Sequence, residues 1–217
     1  MSELKAKSKV SNKIKVKEAA RYLFNRDGLL NVRLQHISDE AIVSVGNISY
    51  HFRGKEQIVL ALWQDLLAQK QAFFLEFRVV PLFEDLERLL AQVFHLQQAY
   101  RFFYVDAPSI LQRFPAIAES WAAHHQQERT AIHMMLEFHV ARAVLHPPLD
   151  QNFFARWAEV FWALSDGWLS RQRSLGRSET DYSAYRDMLW TLLRPLMTPQ
   201  GQLEYQELEK MVARRIS

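Results

Sequence analysis

The chain has 217 residues, no cysteine, and 27 Lys+Arg against 24 Asp+Glu, for a formal net charge of +3. That length can bury one large or two small cores, and the lack of cysteine excludes a disulfide frame, a thiolate metal site and a cysteine nucleophile. The opening MSELKAKSKVSNKIKVK has no apolar centre and no apolar run nears the roughly 18 residues of a membrane span, so a soluble, cytoplasmic protein with no membrane partner is expected.

Charge is concentrated at the front. Through Leu60 there are 11 Lys+Arg and 6 Asp+Glu, whereas the remainder holds 16 and 18. A basic head suits a polyanion, although the lysines from Lys5 to Lys17 also read as a solvated tail. Glycine is scarce and no turn-bounded strand alternation occurs, so the fold class is all-α.

Ile14, Ala19, Ala20, Leu23 and Phe24 recur at helical spacing and stop at Asp27-Gly28, where glycine can take the left-handed cap. Asn31 is placed to cap a short helix through Leu34, Ile37 and Ser38, and Asp39 to Val43 turns. Ser44 caps a second short helix, Val45 to about His51. Gly54 leads into a long helix carrying Ile58, Leu62, Trp63, Leu66 and Leu67. Two short helices behind a longer one are the spacing of a helix-turn-helix. Ile37, Ala41, Val43 and Ile48 would pack the pair together, leaving Val45, Asn47, Ser49 and Tyr50 outward. Phe52 should point inward. Tyr50 and His51 stand beside the start of the long helix, where Lys55 could grip a phosphate.

The run from Lys13 to Leu60 resembles the DNA-binding domain of the TetR family of transcriptional regulators. The resemblance rests on AARYLFNRDG (Ala19 to Gly28) and HISDEAIVSVGNISYHFRGKEQIV (His36 to Val59). Three positions depart from the family pattern: Ser38 replaces a common alanine, Ile42 a common glycine, and Ser49 a usual tyrosine. The resemblance implies DNA contacts at Arg33, Gln35, Ser44, Val45, Asn47, Tyr50, His51 and Lys55. Asn47 and Gln35 have amides that can read adenine, and Arg33 can reach guanine or a phosphate. It further implies an N-terminal three-helix DNA-binding domain with a basic tail over 1–57. A C-terminal helical ligand-binding and dimerisation domain would follow over 58–217.

Helices are expected at about 82–105, 107–113, 116–145, 151–174 and 181–197, with a short one at 202–214. Pro81, Pro108, Pro115, Pro147-Pro148 and Pro199 mark the breaks. Trp157, Phe161, Leu164 and Trp168 form one wide apolar face, and Tyr185, Met188, Leu189, Leu192 and Leu196 form another. The resemblance makes these a homodimer surface; the alternative is packing inside one monomer. It places a small-molecule effector pocket among Phe102, Phe103, Tyr104, Trp121, His125, Met134, Phe138 and Trp162, with Asp106 and Asp166 as charged partners. The same aromatics also read as ordinary core.

Six of the eight histidines lie between His95 and His146, including His133 one turn before Glu137, but no zinc motif accompanies them. No nucleophile elbow, P-loop or dinucleotide fingerprint is present. No catalytic residue, metal or cofactor is assigned. The resulting expectation is an effector-released repressor binding a near-palindromic DNA operator as a dimer. An activator of the same fold, or a helical scaffold without DNA function, stands as the alternative.

Overall fold

The computed structural model describes residues 2–76 and 82–216, with side chains at 12–73 and 82–214. Pro81 and the side chains of Lys5, Lys7 and Lys9 lie outside the described residues. Among those residues the secondary structure is helical, apart from one isolated bridge between Leu145 and Met197. The chain packs as two compact units, Met1–Gln69 with Ala99–Ala118, and Lys70–Gln98 with Glu119–Ser217.

The first unit begins with α1 (Ser2–Asp27), a 3-10 turn (Leu29–Asn31), α2 (Leu34–Ala41) and α3 (Val45–His51). It also takes the front of α4 (Lys55–Glu76). Ala19, Ala20, Leu23 and Phe24 of α1 are buried as their spacing required, and Val16 leads that stripe in place of Ile14, which is 47% exposed. At Gly28 the backbone has φ 80 and ψ 148, a region open to glycine but not the left-handed cap. Asn31 does not cap α2. Its amide donates back to Asp27 O at 2.8 Å and closes the end of α1.

Between α2 and α3 the chain turns at Ile42, which has φ 53 and ψ 46 and is 90% exposed. A β-branched residue in this left-handed conformation costs about 1–2 kcal/mol. Ile42→Gly should therefore raise the stability of this unit by about 1 kcal/mol after glycine's extra chain entropy is deducted, read as a higher urea midpoint. Ser38 explains itself: it is buried, and its hydroxyl donates to Val43 O at 2.7 Å across the turn.

The helix expected over 82–105 is two. The second unit's α5 (Phe83–Ala99) stops before Tyr100, and α6 (Arg101–Val105) and α7 (Ala107–Arg113) follow. The cause is Asn25 of α1, whose amide donates to Ala99 O at 2.9 Å while its oxygen accepts from Phe102 N at 3.2 Å. One side chain thus replaces the backbone bonds that would have continued the helix. The freed turn packs Phe102 edge-on to Phe24 and Phe103 edge-on to Trp63, at 5.2 and 5.5 Å between ring centroids.

The second unit contains α8 (Pro115–Ala141) from Glu119 onward, α9 (Phe153–Ser174), α10 (Tyr182–Leu193) and α11 (Pro199–Ile216). α5 meets α10 through Glu87, whose carboxylate accepts from Arg186 Nε, Trp190 Nε1 and the Tyr182 hydroxyl, each at 2.8 Å. Arg186 also pairs with Glu209 on α11. α11 approaches so closely that a Cβ on Gly201 would stand 2.0 Å from Val144 O.

Candidate nucleic-acid interface

The seven residues of α3 are held from behind. Ile48 is fully buried and Phe52 is 4% exposed, as the inward reading required, while Ile37 and Ala41 of α2 close the same core. Ser44 caps the helix, its Oγ accepting from Asn47 N at 3.2 Å. On the opposite side Ser44, Gly46, Ser49 and Tyr50 are exposed and Val45, Asn47 and His51 half-buried. The Tyr50 ring meets His51 edge-on at 5.2 Å. The four-residue outer rim carries no charge and little bulk except at Tyr50.

Two flanking amides are already engaged. Asn12 of α1 donates to Asn47 Oδ1 at 3.5 Å, a long bond that biases the orientation of that amide. Gln35 donates to Asp39 at 2.8 Å, which leaves its oxygen and its second amide N–H available. Arg33 and Gln35 are both exposed, and the Arg33 backbone N–H donates to His36 Nδ1 at 3.3 Å.

Lys55 needs the largest revision. Its ammonium was expected to be free for phosphate, but it donates to Leu29 O at 2.9 Å and Val32 O at 2.8 Å. Two of its three N–H groups therefore tie α4 to the 3-10 turn. Burial, and then the Arg113 guanidinium, pull the Lys55 pKa below the ordinary lysine range.

The expected effector residues fall in different units. Phe102, Phe103 and Tyr104 are buried in the first unit. Asp106 belongs to that unit too. Met134 is 62% exposed, and Phe138 is half-buried on the same helix. Trp121, His125, Trp162 and Asp166 remain in the second unit, beside a set of polar residues that periodicity did not single out.

That set is interior. Lys70 and Glu128 are 4% and 2% exposed and pair at 2.7 Å. His124 and His125 approach the same Glu128 carboxylate at 3.4 and 3.6 Å, and the Lys70 ammonium lies 5.4 Å from the Trp162 ring centroid. Burial alone would push the Glu128 pKa up, but Lys70 and the two imidazoles hold it well below the carboxylate range. The Glu128 carboxylate raises the His125 pKa. Asp166 keeps some exposed surface as a residue, yet its enclosed carboxyl is pushed up to about 6 by burial, with Lys70 opposing and Glu128 reinforcing. Lys70 was legible after all: it continues the buried stripe Trp63, Leu66 by one more turn.

The expected dimer faces also divide. Trp157, Phe161, Trp168, Tyr185 and Leu189 are at most 8% exposed within the single chain, so their aromatic bulk fills their own unit. Trp157 Nε1 donates to Leu192 O at 3.2 Å, and Trp168 meets Tyr185 at 5.7 Å. Leu164, Met188, Leu192 and Leu196 are half-buried. Beside them α9 exposes Val160, Ala163 and Gly167, and α10 exposes Ala184 and Thr191.

His133 and Glu137 bond to each other at 3.1 Å. Among the described residues no three His, Asp or Glu side chains form a group that could hold a metal ion. No described helix is long and apolar enough to cross a membrane.

Comparison with known proteins places these units. The family described as "Bacterial regulatory proteins, tetR family" matches residues 17–62, and "TetR: Bacterial transcriptional repressor" matches residues 67–205. No curated protein matches. Among solved structures, a TetR-family transcriptional regulator from Marinobacter aquaeolei VT8 is 22% identical and covers 91% of this chain and 97% of that one, with a TM-score of 0.83. The TetR family protein CprB from S. coelicolor A3(2) is 18% identical over 95% and 98%, with a TM-score of 0.73. A gamma-butyrolactone receptor described as ArpA-like is 17% identical over 96% and 98%, with a TM-score of 0.69.

Proposed function

The chain belongs to the TetR family of bacterial regulatory proteins, and on that premise we propose that it is an effector-released repressor binding a near-palindromic operator as a homodimer. The observation that carries the reading is α3, anchored by Ile48 and Phe52 and exposing Ser44, Gly46, Ser49 and Tyr50. Asn47 then reads a base edge, while Tyr50, His51, Arg33 and the remaining N–H of Lys55 serve the backbone. The dimer face is the outer side of α9 and α10, where Val160, Ala163, Leu164 and Gly167 lie beside Ala184, Met188, Thr191 and Leu192. A twofold axis there gives two heads and two half-sites.

The effector is a small, largely apolar or aromatic molecule bound in the second unit. A gamma-butyrolactone receptor among the solved neighbours is consistent with small-molecule control of this fold. α4 contributes Lys55 to the first unit and Lys70 to the second, so one continuous helix carries both. Effector and operator favour different states and must weaken each other by the same factor. The role is in the cytoplasm, and we assign it no catalysis, metal or cofactor.

Selection of bound duplexes from a random pool tests the reading: a palindromic consensus with half-sites about one helical turn apart, or a multiple of it, is expected. A pool that yields no enriched sequence at low salt would overturn it. Asn47→Ala should change the selected consensus rather than merely the affinity, by about 1–3 kcal/mol of discrimination at one position. Lys55→Ala should weaken all duplexes alike and also lower the stability of the first unit by about 1–2 kcal/mol, since two carbonyls lose a charged donor.

A further inference from the structure

The start of α1 is held against α3. The Lys13 ammonium lies 5.9 Å from the centroid of the buried Phe52 ring, and Val16, three residues on, is fully buried. Asn12 precedes them and is half-buried, as is Asn47 on α3. Across 35 residues of chain, Asn12 Nδ2 donates to Asn47 Oδ1 at 3.5 Å. The Asn47 backbone is fixed separately, its N–H donating to Ser44 Oγ at 3.2 Å in the first turn of α3. What Asn12 sets is the rotation of the side-chain amide. The bond is long, but orientation takes little energy: turning the Asn47 amide over in place would bring its NH2 against the NH2 of Asn12, donor facing donor. To a base the two arms of that amide are not equivalent. Bidentate reading of adenine needs the oxygen to accept from N6 while the NH2 donates to N7. The Asn47 oxygen is turned to α1 instead, which leaves the NH2, with two N–H groups, on the other arm of the planar group, about 120° away.

We propose that Asn12 is a specificity-determining residue of the operator interface: it holds the Asn47 oxygen toward α1, so that the Asn47 NH2 reads a base edge made of acceptors, N7 and O6 of guanine. Guanine is the base that offers two acceptors in the major groove. The inference rests on the operator-binding reading above and names the base at one of its positions. Asn12 acts through Asn47 and is a positioning residue. Aspartate at position 12 reverses the logic. A carboxylate accepts and cannot donate, so it draws the Asn47 NH2 to itself and turns the oxygen outward, where it accepts from an exocyclic amine, adenine N6 or cytosine N4.

The experiment is duplex selection with the full chain, run in parallel for the wild type, Asn47→Ala, Asn12→Ala and Asn12→Asp. Asn47→Ala locates the base pair that Asn47 reads. There the wild type should require G·C, and both Asn12 variants should lose about tenfold of that preference or more. The added carboxylate of Asn12→Asp also weakens every duplex alike, so the readout is base preference and not affinity. Placing 7-deazaguanine, which lacks the N7 acceptor, at that position should weaken the wild type by about fivefold or more and leave Asn12→Asp unmoved. Both Asn12 variants should melt with the wild type, because the amide pair is only half-buried. An A·T pair at that position in the wild type, indifference of the wild type to 7-deazaguanine, or an unchanged consensus in both Asn12 variants overturns the inference. So does a lowered melting temperature with the consensus intact, which makes Asn12 a purely structural residue. The two readings fail separately. A pool that enriches no duplex sinks the regulator and the inference with it, whereas a palindromic consensus indifferent to Asn12 sinks the inference alone.

Discussion

Glu87→Ala should lower the stability of the second unit by about 3–5 kcal/mol, the range for removing one partner of a buried ion pair. Glu87 and Arg186 are 8% and 5% exposed, and the carboxylate accepts from three donors, on Arg186, Trp190 and Tyr182. Truncation leaves a guanidinium, an indole N–H and a phenol without that acceptor, and the exposed carboxylates of Glu209 and Asp187 answer only part of the Arg186 charge. Burial and the Glu87 charge raise the Tyr182 pKa, which shows how enclosed the junction is. Urea unfolding followed by tryptophan fluorescence should show a lower midpoint at unchanged slope. The double variant Glu87→Leu with Arg186→Leu should regain much of the loss, since it removes both charges together. A double variant as weak as the single one would assign the loss to packing instead.

Acid should weaken the protein through His139. This side chain is fully buried, its ring 4.9 Å from that of Phe83, and its Nδ1 accepts from the Arg142 guanidinium at 3.3 Å. An imidazole that accepts from a guanidinium is neutral. Burial, then the Arg142 charge, lower its pKa from the usual 6.5 to about 4. The unfolded chain therefore takes up this proton first as pH falls. Stability from His139 is complete above about pH 6.5, declines below it, and is lost by about pH 4, a total of about 3 kcal/mol. Asp166 titrates with the opposite sign, because its folded pKa is raised. The clean readout is thus the difference between wild type and His139→Leu, which should change by about 3 kcal/mol between pH 7 and pH 4. Parallel curves would exclude His139 as the source.

Local chemistry was legible in the chain, and long-range chemistry was not. Ser44 caps α3 and Ile48 and Phe52 face inward because those features depend on neighbours within a turn. The tether from Lys55 to Leu29 O and Val32 O spans 26 and 23 residues, and nothing at Lys55 itself announces it. Asn25 split an apparently continuous helix from 77 residues away. Trp157, Phe161 and Trp168 had the periodicity of a buried face, but periodicity does not say whether the covering surface belongs to the same chain. Their bulk drew attention from Ala163 and Gly167, which are exposed on the same helix. Gln97 was hidden differently: it continues the stripe of α5 residues Leu89, Leu90 and Val93 as a polar member of an otherwise apolar row.

Seven residues make a helix of barely two turns, too short to persist alone in water. The shape of its outer rim is therefore lent to α3 by α1 and α2. A synthetic peptide spanning Ser44 to Phe52 would be a coil, and grafting its letters onto another protein would transfer an alphabet without its page.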